Sequence, residues 1–180
     1  VRSHGIEDLA FLFLLNAICV AIPGLSNGIF CVLNGILYGP AWGFIVNWIS
    51  DILGQIILME LLQKLYDMKK MSNSKVYKLL TGLKSPMLGL IIGYMIPFIP
   101  SATVSYVNIM IIKEQRKKQL IPIIIGVIPF AYLYAYGGDS ILHLDGTRLI
   151  KVVISFVVIA LIAVAILLSL RAIKKRTKKA

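Results

Sequence analysis

The sequence predicts an all-α polytopic membrane protein: two inverted re-entrant helical hairpins facing each other, plus about three spanning helices. Three observations carry that prediction. Hydrophobic residues make up 58% of the chain and its mean hydropathy is +0.86, which excludes an ordinary water-soluble domain. Two apolar runs are broken by proline-containing tips, Ile22-Pro23-Gly24-Leu25-Ser26-Asn27 and Tyr94-Met95-Ile96-Pro97-Phe98-Ile99-Pro100-Ser101-Ala102. Proline removes a backbone donor there, and lipid offers no water to replace the lost bond. The basic residues gather in short segments between apolar runs, which sets a topology.

In chain order, Leu9 to Ile22 is apolar apart from Asn16, after the polar start Arg2-Ser3-His4 and the acidic pair Glu7-Asp8. It falls short of the ~20 residues a span requires and ends at Pro23-Gly24. A second short piece, Ile29 to Tyr38, stops at Gly39-Pro40. The pair reads as a first hairpin, 9–39, that enters and leaves by one face; a tilted span followed by a surface segment is the alternative. Residues 41–62 are long enough to cross. Asn47, Asp51 and Gln55 recur there at i, i+4 and i+8, one polar stripe on a helix. Glu60 shares no face with Asp51 and is expected to snorkel or to pair with Lys64.

A loop over 64–84 carries six lysines and one acid, Asp67. The second hairpin is expected at 86–112, closed by Lys113-Glu114-Gln115-Arg116-Lys117-Lys118. A span at 119–136 contains Gly126 and Pro129. An external loop at 139–148, a C-terminal span at 149–170 and a basic tail at 171–180 complete the chain.

Placing the 64–84 loop, the 113–118 segment and the tail on the cytoplasmic side puts 16 of the 19 Lys and Arg there, leaving Arg2, Arg148 and Lys151 outside. This requires Pro86 to Ile112 to begin and end on the same side, which a single span cannot do. Carried backwards, the first hairpin enters from outside, so the two point at each other as an inverted repeat. A faint trace of the repeat survives. Ile22-Pro23 aligns with Ile96-Pro97 at an offset of 74, setting Asn27, Cys31 and Asn34 on Ser101, Ser105 and Asn108. The register fades beyond the hairpins.

The chain resembles the VTT-domain family, also called the SNARE-associated Golgi protein family, of the DedA superfamily. The resemblance rests on Ala21-Ile22-Pro23-Gly24, Gly35-Ile36-Leu37-Tyr38-Gly39-Pro40 with Gly43, Gly54, Pro97-Phe98-Ile99-Pro100 and Gly126-Val127-Ile128-Pro129, ordered from about Leu9 to Gly138. It implies two facing re-entrant hairpins and lipid handling: relatives are linked to phospholipid scrambling or to return of a lipid-phosphate carrier. Tyr94 and Met95 stand where many members carry an arginine before the tip, and Gln63-Lys64 stand where another is usual. Members commonly have a further span before the first hairpin; the expectation is that such a segment has been lost or precedes Val1.

The candidate site follows from helix physics. If the second arm of each hairpin starts at its tip, free N–H groups and a partial positive charge there attract anions. Ser26 or Asn27 and Ser101 are candidate N-caps. Pro23, Gly24, Pro97 and Pro100 shape the tips, and Asn34, Ser105, Tyr106 and Asn108 could add donors for a phosphate-bearing headgroup. Against this stands the reading that these Ser and Asn side chains only join helices together. Asp51 is the only acid well inside a span and is the candidate for proton coupling.

Other classes find less support. Cys19 and Cys31 match no ligand spacing and read as small packing residues. His4 and His143 have no second ligand at useful spacing, so no metal or other cofactor is implied. No nucleophile–base pair, phosphate-loop glycines or paired carboxylates point to an enzyme. The net charge of +11 is read as topology and contact with anionic headgroups, not nucleic acid. Trp42, Trp48, Tyr132, Tyr134 and Tyr136 read as packing or interfacial anchors.

Three functions compete: a lipid scramblase or flippase, a proton-coupled small-solute transporter using Asp51, and a non-transporting membrane scaffold. The expected setting is a bacterial plasma membrane. The expected partners are anionic phospholipid or lipid phosphate, with a homodimer to close the site.

Overall fold

The apolar stretch Gly28–Leu65 cannot run as one straight helix, because Gly39 sits at φ 80° and ψ 178° and Pro40 follows it. Proline disfavours the helical region in the residue before it, and glycine alone readily takes a positive φ. A computed structural model shows the resulting arrangement. It describes residues 5–65, 77, 79–80, 83, 85–96, 99–112 and 115–177, with side chains as far as residue 169 and that of Ile6 left aside. Pro97, the loop from 66 to 76, Lys113-Glu114 and the basic side chains of the tail lie outside this description, as do Arg2 and His4.

Among the described residues all regular structure is helical. Helix α1 is Ile6–Ala21, and the break at Gly39 gives α2 (28–38) and α3 (40–65). Then follow α4 (Pro86–Tyr94), α5 (Ser101–Ile112), α6 (Arg116–Gly126), α7 (Ile128–Leu142) and α8 (Gly146–Thr177). Among the described residues three helical stretches are long and apolar enough to cross a membrane: Gly28–Leu65, Arg116–Leu142 and Gly146–Ser169. The chain is a polytopic, all-helical protein of membrane type.

It forms two compact units, Val1–Leu58 with Val127–Val157, and Met59–Gly126 with Val158–Ala180. In the first, α1 ends at Ala21 with Ile22 as its C-cap, Gly24 turns at φ 95°, and α2 leaves in the opposite sense. Asn34 meets Asn47 and Asn27 meets Asp51, so α2 and α3 run antiparallel. Asn16 meets Asp51, and a Cβ on Gly54 would lie 2.6 Å from the Ala17 carbonyl oxygen and 2.5 Å from Val20 Cβ, so α1 and α3 run side by side in the same sense.

In the second unit α4 ends at Tyr94 and α5 starts at Ser101. Asn108 meets Gln119, so α5 and α6 run antiparallel. A Cβ on Gly126 would lie 2.5 Å from Tyr94 Cβ and 2.8 Å from the Ile91 carbonyl oxygen, so α4 lies against the end of α6.

These contacts repeat. Gly54 meets Ala17 and Val20; Gly126 meets Ile91 and Tyr94, which stand 74 positions on. Asn34 donates to Asn47, and Asn108, 74 positions on, donates to Gln119. The span partners are displaced by 72 positions, from Asn47 to Gln119 and from Gly54 to Gly126. Two fewer residues separate the second hairpin from its following helix, which is why the sequence register fades where it does.

Several boundaries differ from those read in the sequence. The external loop read at 139–148 shrinks to a turn at His143–Asp145, because α7 continues to Leu142. Gly137 and Gly138 are helical, and Gly138 brings α7 against the Val32 carbonyl oxygen where a Cβ would collide. The span read at 119–136 begins at Arg116 and is interrupted at Val127, just before Pro129. The last span starts three residues earlier than read, with Asp145 accepting the Arg148 N–H at 3.0 Å as its N-cap.

Candidate functional site

The polar stripe of α3 is buried along its whole length. Asn47 is fully buried, Gln55 nearly so, and Asp51 is 8% exposed; Ser50 beside them is fully buried as well. A buried polar group without a partner is expensive, so the neighbouring helices should answer the stripe with polar groups. They do. From α1, Asn16 Nδ2 donates to Ser50 Oγ at 2.5 Å and to Asp51 Oδ1 at 3.2 Å. From the tip, Asn27 Nδ2 donates to Asp51 Oδ1 at 2.7 Å. From α2, Asn34 Nδ2 donates to Asn47 Oδ1 at 2.8 Å, while Asn47 Nδ2 donates to the carbonyls of Cys31 at 3.0 Å and Ala131 at 3.3 Å. Cys31 Sγ lies 3.5 Å from both Asn16 Oδ1 and Asn27 Nδ2, completing the seam.

Asp51 stands eleven residues into α3 and fourteen before its end. Trp42, 65% exposed, starts an aromatic band in which Phe44 stacks on Trp48 and meets Tyr132 edge-on, and Tyr132 stacks on Tyr136. Such bands mark the membrane–water interface. Nine residues at ~1.5 Å each place Asp51 about 13 Å deeper, close to the middle of a ~30 Å hydrocarbon core. No Lys, Arg or His pairs with Asp51 among the described residues, and no described group donates to its Oδ2.

The second hairpin has its own buried polar knot. The Tyr94 and Ser105 hydroxyls are 2.8 Å apart, and Asn108 Nδ2 donates to the Gln119 carbonyl at 2.9 Å and, more weakly, to the Tyr94 hydroxyl at 3.4 Å. Asn34 and Asn108, equivalent in the repeat, share an oddity: both are fully buried, and the Oδ1 of each has no hydrogen-bond partner among the described residues.

The residues singled out in the sequence therefore divide. Pro23, Gly24 and Ser26 are exposed at the first tip, and Pro100 and Ser101 are exposed at the second; Pro97 lies outside the described residues. Asn27 turns its amide to Asp51. Asn34, Ser105, Tyr106 and Asn108 are fully buried, and the amide nitrogens of the two asparagines are engaged with other helices. Glu60 pairs with Arg116 at 2.6 Å, not with Lys64. His143 lies 3.6 Å and Arg148 3.8 Å from Asp139, and Arg148 lies 2.9 Å from Asp145, which closes the turn between α7 and α8. No group of three His, Cys, Asp or Glu able to hold a metal ion occurs among the described residues.

Sequence reasoning missed Asn16, Ser50 and Tyr94. Asn16 did leave a signal, as the one polar residue in an otherwise apolar run.

No family model matches the sequence, and neither a curated protein nor a solved structure does.

Proposed function

We propose that the chain is an integral membrane lipid transporter of the scramblase or flippase kind, moving phospholipid or lipid-phosphate headgroups past two re-entrant hairpin tips that face each other. One observation carries the reading: the contacts of the first hairpin with its following helix recur in the second, 74 and 72 positions on. A duplicated helix–break–helix unit supplies two helix starts, each with polar residues of its own. Asn27 beside Asp51, near the middle of α3, supports a place well inside the membrane for the first tip. Broken helices that leave backbone groups free inside a membrane serve transport sites, where the freed groups meet a polar substrate.

In this reading Ser26, Asn27 and Ser101 meet the headgroup while Pro23, Gly24, Pro97 and Pro100 hold the tips open. Asn34, Ser105 and Asn108 fix the hairpins to their spans. The headgroup crosses between the tips while the acyl chains stay in lipid, and the basic segments face anionic phospholipid on the cytoplasmic side. Membership of the VTT-domain family and a homodimer that completes the path belong to the same proposal.

The test is reconstitution into liposomes carrying a fluorescent phospholipid, followed by an external reductant. Loss of the protected half of the label, abolished by Asn27→Ala with Ser101→Ala in a folded protein, is expected. Retention of that half, as in protein-free liposomes, would refute it.

A second reading, proton-coupled transport of a small solute, is favoured by Asp51 itself: a buried acid without a cationic partner among the described residues. Solute uptake that follows a proton gradient and vanishes in Asp51→Asn would select it.

A further inference from the structure

We propose that the first hairpin tip is a binding place for a primary ammonium group, with Asp51 as its counter-ion and Tyr134 as its aromatic wall. The inference deepens the lipid-transport reading, which alone supplies the bearer of the amine, a phospholipid headgroup. The place itself rests on the geometry.

An acid near the middle of a membrane calls for a partner, because neither lipid nor a dry protein interior solvates a lone charge. The groups that face Asp51 are Asn16 from α1, Asn27 and Cys31 from the tip and α2, Ser50 on α3, and Tyr134 from α7, none of them a cation. Asn16 and Asn27 both donate to Oδ1, at 3.2 Å and 2.7 Å, and so hold the carboxyl group by one oxygen. Oδ2 accepts no described hydrogen bond, yet it is not fully enclosed as Asn34 Oδ1 and Asn108 Oδ1 are. The 8% of Asp51 that is exposed therefore includes this oxygen. A carboxyl group held by one oxygen and open at the other receives a donor that carries positive charge.

The surroundings suit an ammonium. It has three N–H donors to place. Asn27 Oδ1, to which no described group donates, belongs to the amide that already touches Asp51 and supplies a second acceptor. Tyr134 is half-buried and stands over the start of α2, its ring carbons and hydroxyl 3.5 Å from where a Cβ on Gly28 would be. Phe156 packs edge-on against Tyr134 at 5.3 Å, and Phe130 lies 4.9 Å from Phe156. Aromatic rings beside a carboxylate attract an ammonium through their negative faces. The end of α1 lies at the same tip, and its last carbonyls carry the negative end of that helix. Broken membrane helices hold cations at such ends and anions at the starts. With α2 beginning at Gly28, the tip has a place for the ammonium and for the phosphate of one zwitterionic headgroup.

The internal repeat separates this role from packing. At the displacement of 72 that carries Asn47 to Gln119 and Gly54 to Gly126, Asp51 falls on Ile123, a fully buried aliphatic residue. The second hairpin packs on its span with no carboxylate there, so joining arm to span does not require one. The counter-ion belongs to the first tip alone.

Binding is measured on the purified full chain in detergent by titration calorimetry. The probes are dihexanoyl phosphatidylethanolamine, dihexanoyl phosphatidylglycerol, which has no amine, and free ethanolamine. The wild type is expected to bind the ethanolamine lipid at least tenfold more tightly than the glycerol lipid. Asp51→Asn keeps Oδ1 for Asn16 and Asn27 and removes the charge, and the preference should fall below threefold. Tyr134→Leu leaves the carboxylate in place and should lower the preference severalfold; it serves if Asp51→Asn does not fold.

Equal binding of the two lipids by the wild type, or a preference that survives in folded Asp51→Asn, overturns the proposal. Free ethanolamine bound as tightly as its lipid assigns the place to a soluble amine, so that the ammonium place stands and the lipid bearer falls. If the wild type prefers the ethanolamine lipid but moves no lipid in liposomes, the place stands without transport. If it moves both lipids and prefers neither, transport stands and this inference falls.

Discussion

Gly54 and Gly126 offer the sharpest test of the duplicated hairpin. Alanine at Gly54 would put its Cβ 2.6 Å from the Ala17 carbonyl oxygen and 2.5 Å from Val20 Cβ; at Gly126 the distances are 2.8 Å to the Ile91 oxygen and 2.5 Å to Tyr94 Cβ. The obstacles are backbone oxygens and Cβ atoms, which cannot swing aside as a side-chain end would. Ordinary contact begins near 3.4 Å, so each helix pair must separate by roughly 0.6–0.9 Å. Overpacking of that kind costs about 1–3 kcal/mol, and the expectation is a similar loss at both positions. Gly146→Ala is the control, since nothing lies within 4 Å of that site; it should be neutral or slightly stabilising. Reversible unfolding in mixed micelles reads all three. If either Gly54→Ala or Gly126→Ala proves as stable as Gly146→Ala, the close approach is absent and the repeat argument fails with it.

Further outcomes follow from the hydrogen bonds. Asn47→Leu should destabilise more than Asn34→Leu, by about 1–3 kcal/mol in the same unfolding assay: it strands the buried Asn34 amide donor, whereas Asn34→Leu also removes an acceptor that has no partner among the described residues. Asp145→Ala removes the N-cap of α8 together with a contact to Arg148, and should lower stability by about 1 kcal/mol. Glu60→Gln breaks an ion pair whose Arg116 side chain is 73% exposed, and a stability change above about 1 kcal/mol would contradict its surface character.

The helical class and the spans were legible because apolar run length and proline placement are local properties of the chain. The polar stripe was legible for the same reason, since Asn47, Asp51 and Gln55 recur at helical spacing. What answers the stripe was not. Asn16 lies 35 positions before Asp51 and Asn27 lies 24 before it, and only the folding of the hairpin onto α3 brings the three together. The external loop was read from 139 on because the glycines just before it end helices as readily as they let them approach, and α7 uses Gly138 for approach to α2. Glu60 had Lys64 one turn away, yet pairs with Arg116 across the fold. The repeat showed in the hairpins and vanished in the spans because the two following helices are set two residues apart in register.

The account turns on whether the chain enters the membrane twice without crossing it. Single cysteines at Glu7, Ala41, Ser85 and Gln115, in a chain with Cys19 and Cys31 replaced, can be scored in sealed vesicles of known orientation with a membrane-impermeant maleimide. The account predicts that Glu7 and Ala41 react from one side, and that Ser85 and Gln115 both react from the other. Labelling that splits either pair between the two faces would make that hairpin a spanning segment and contradict the account.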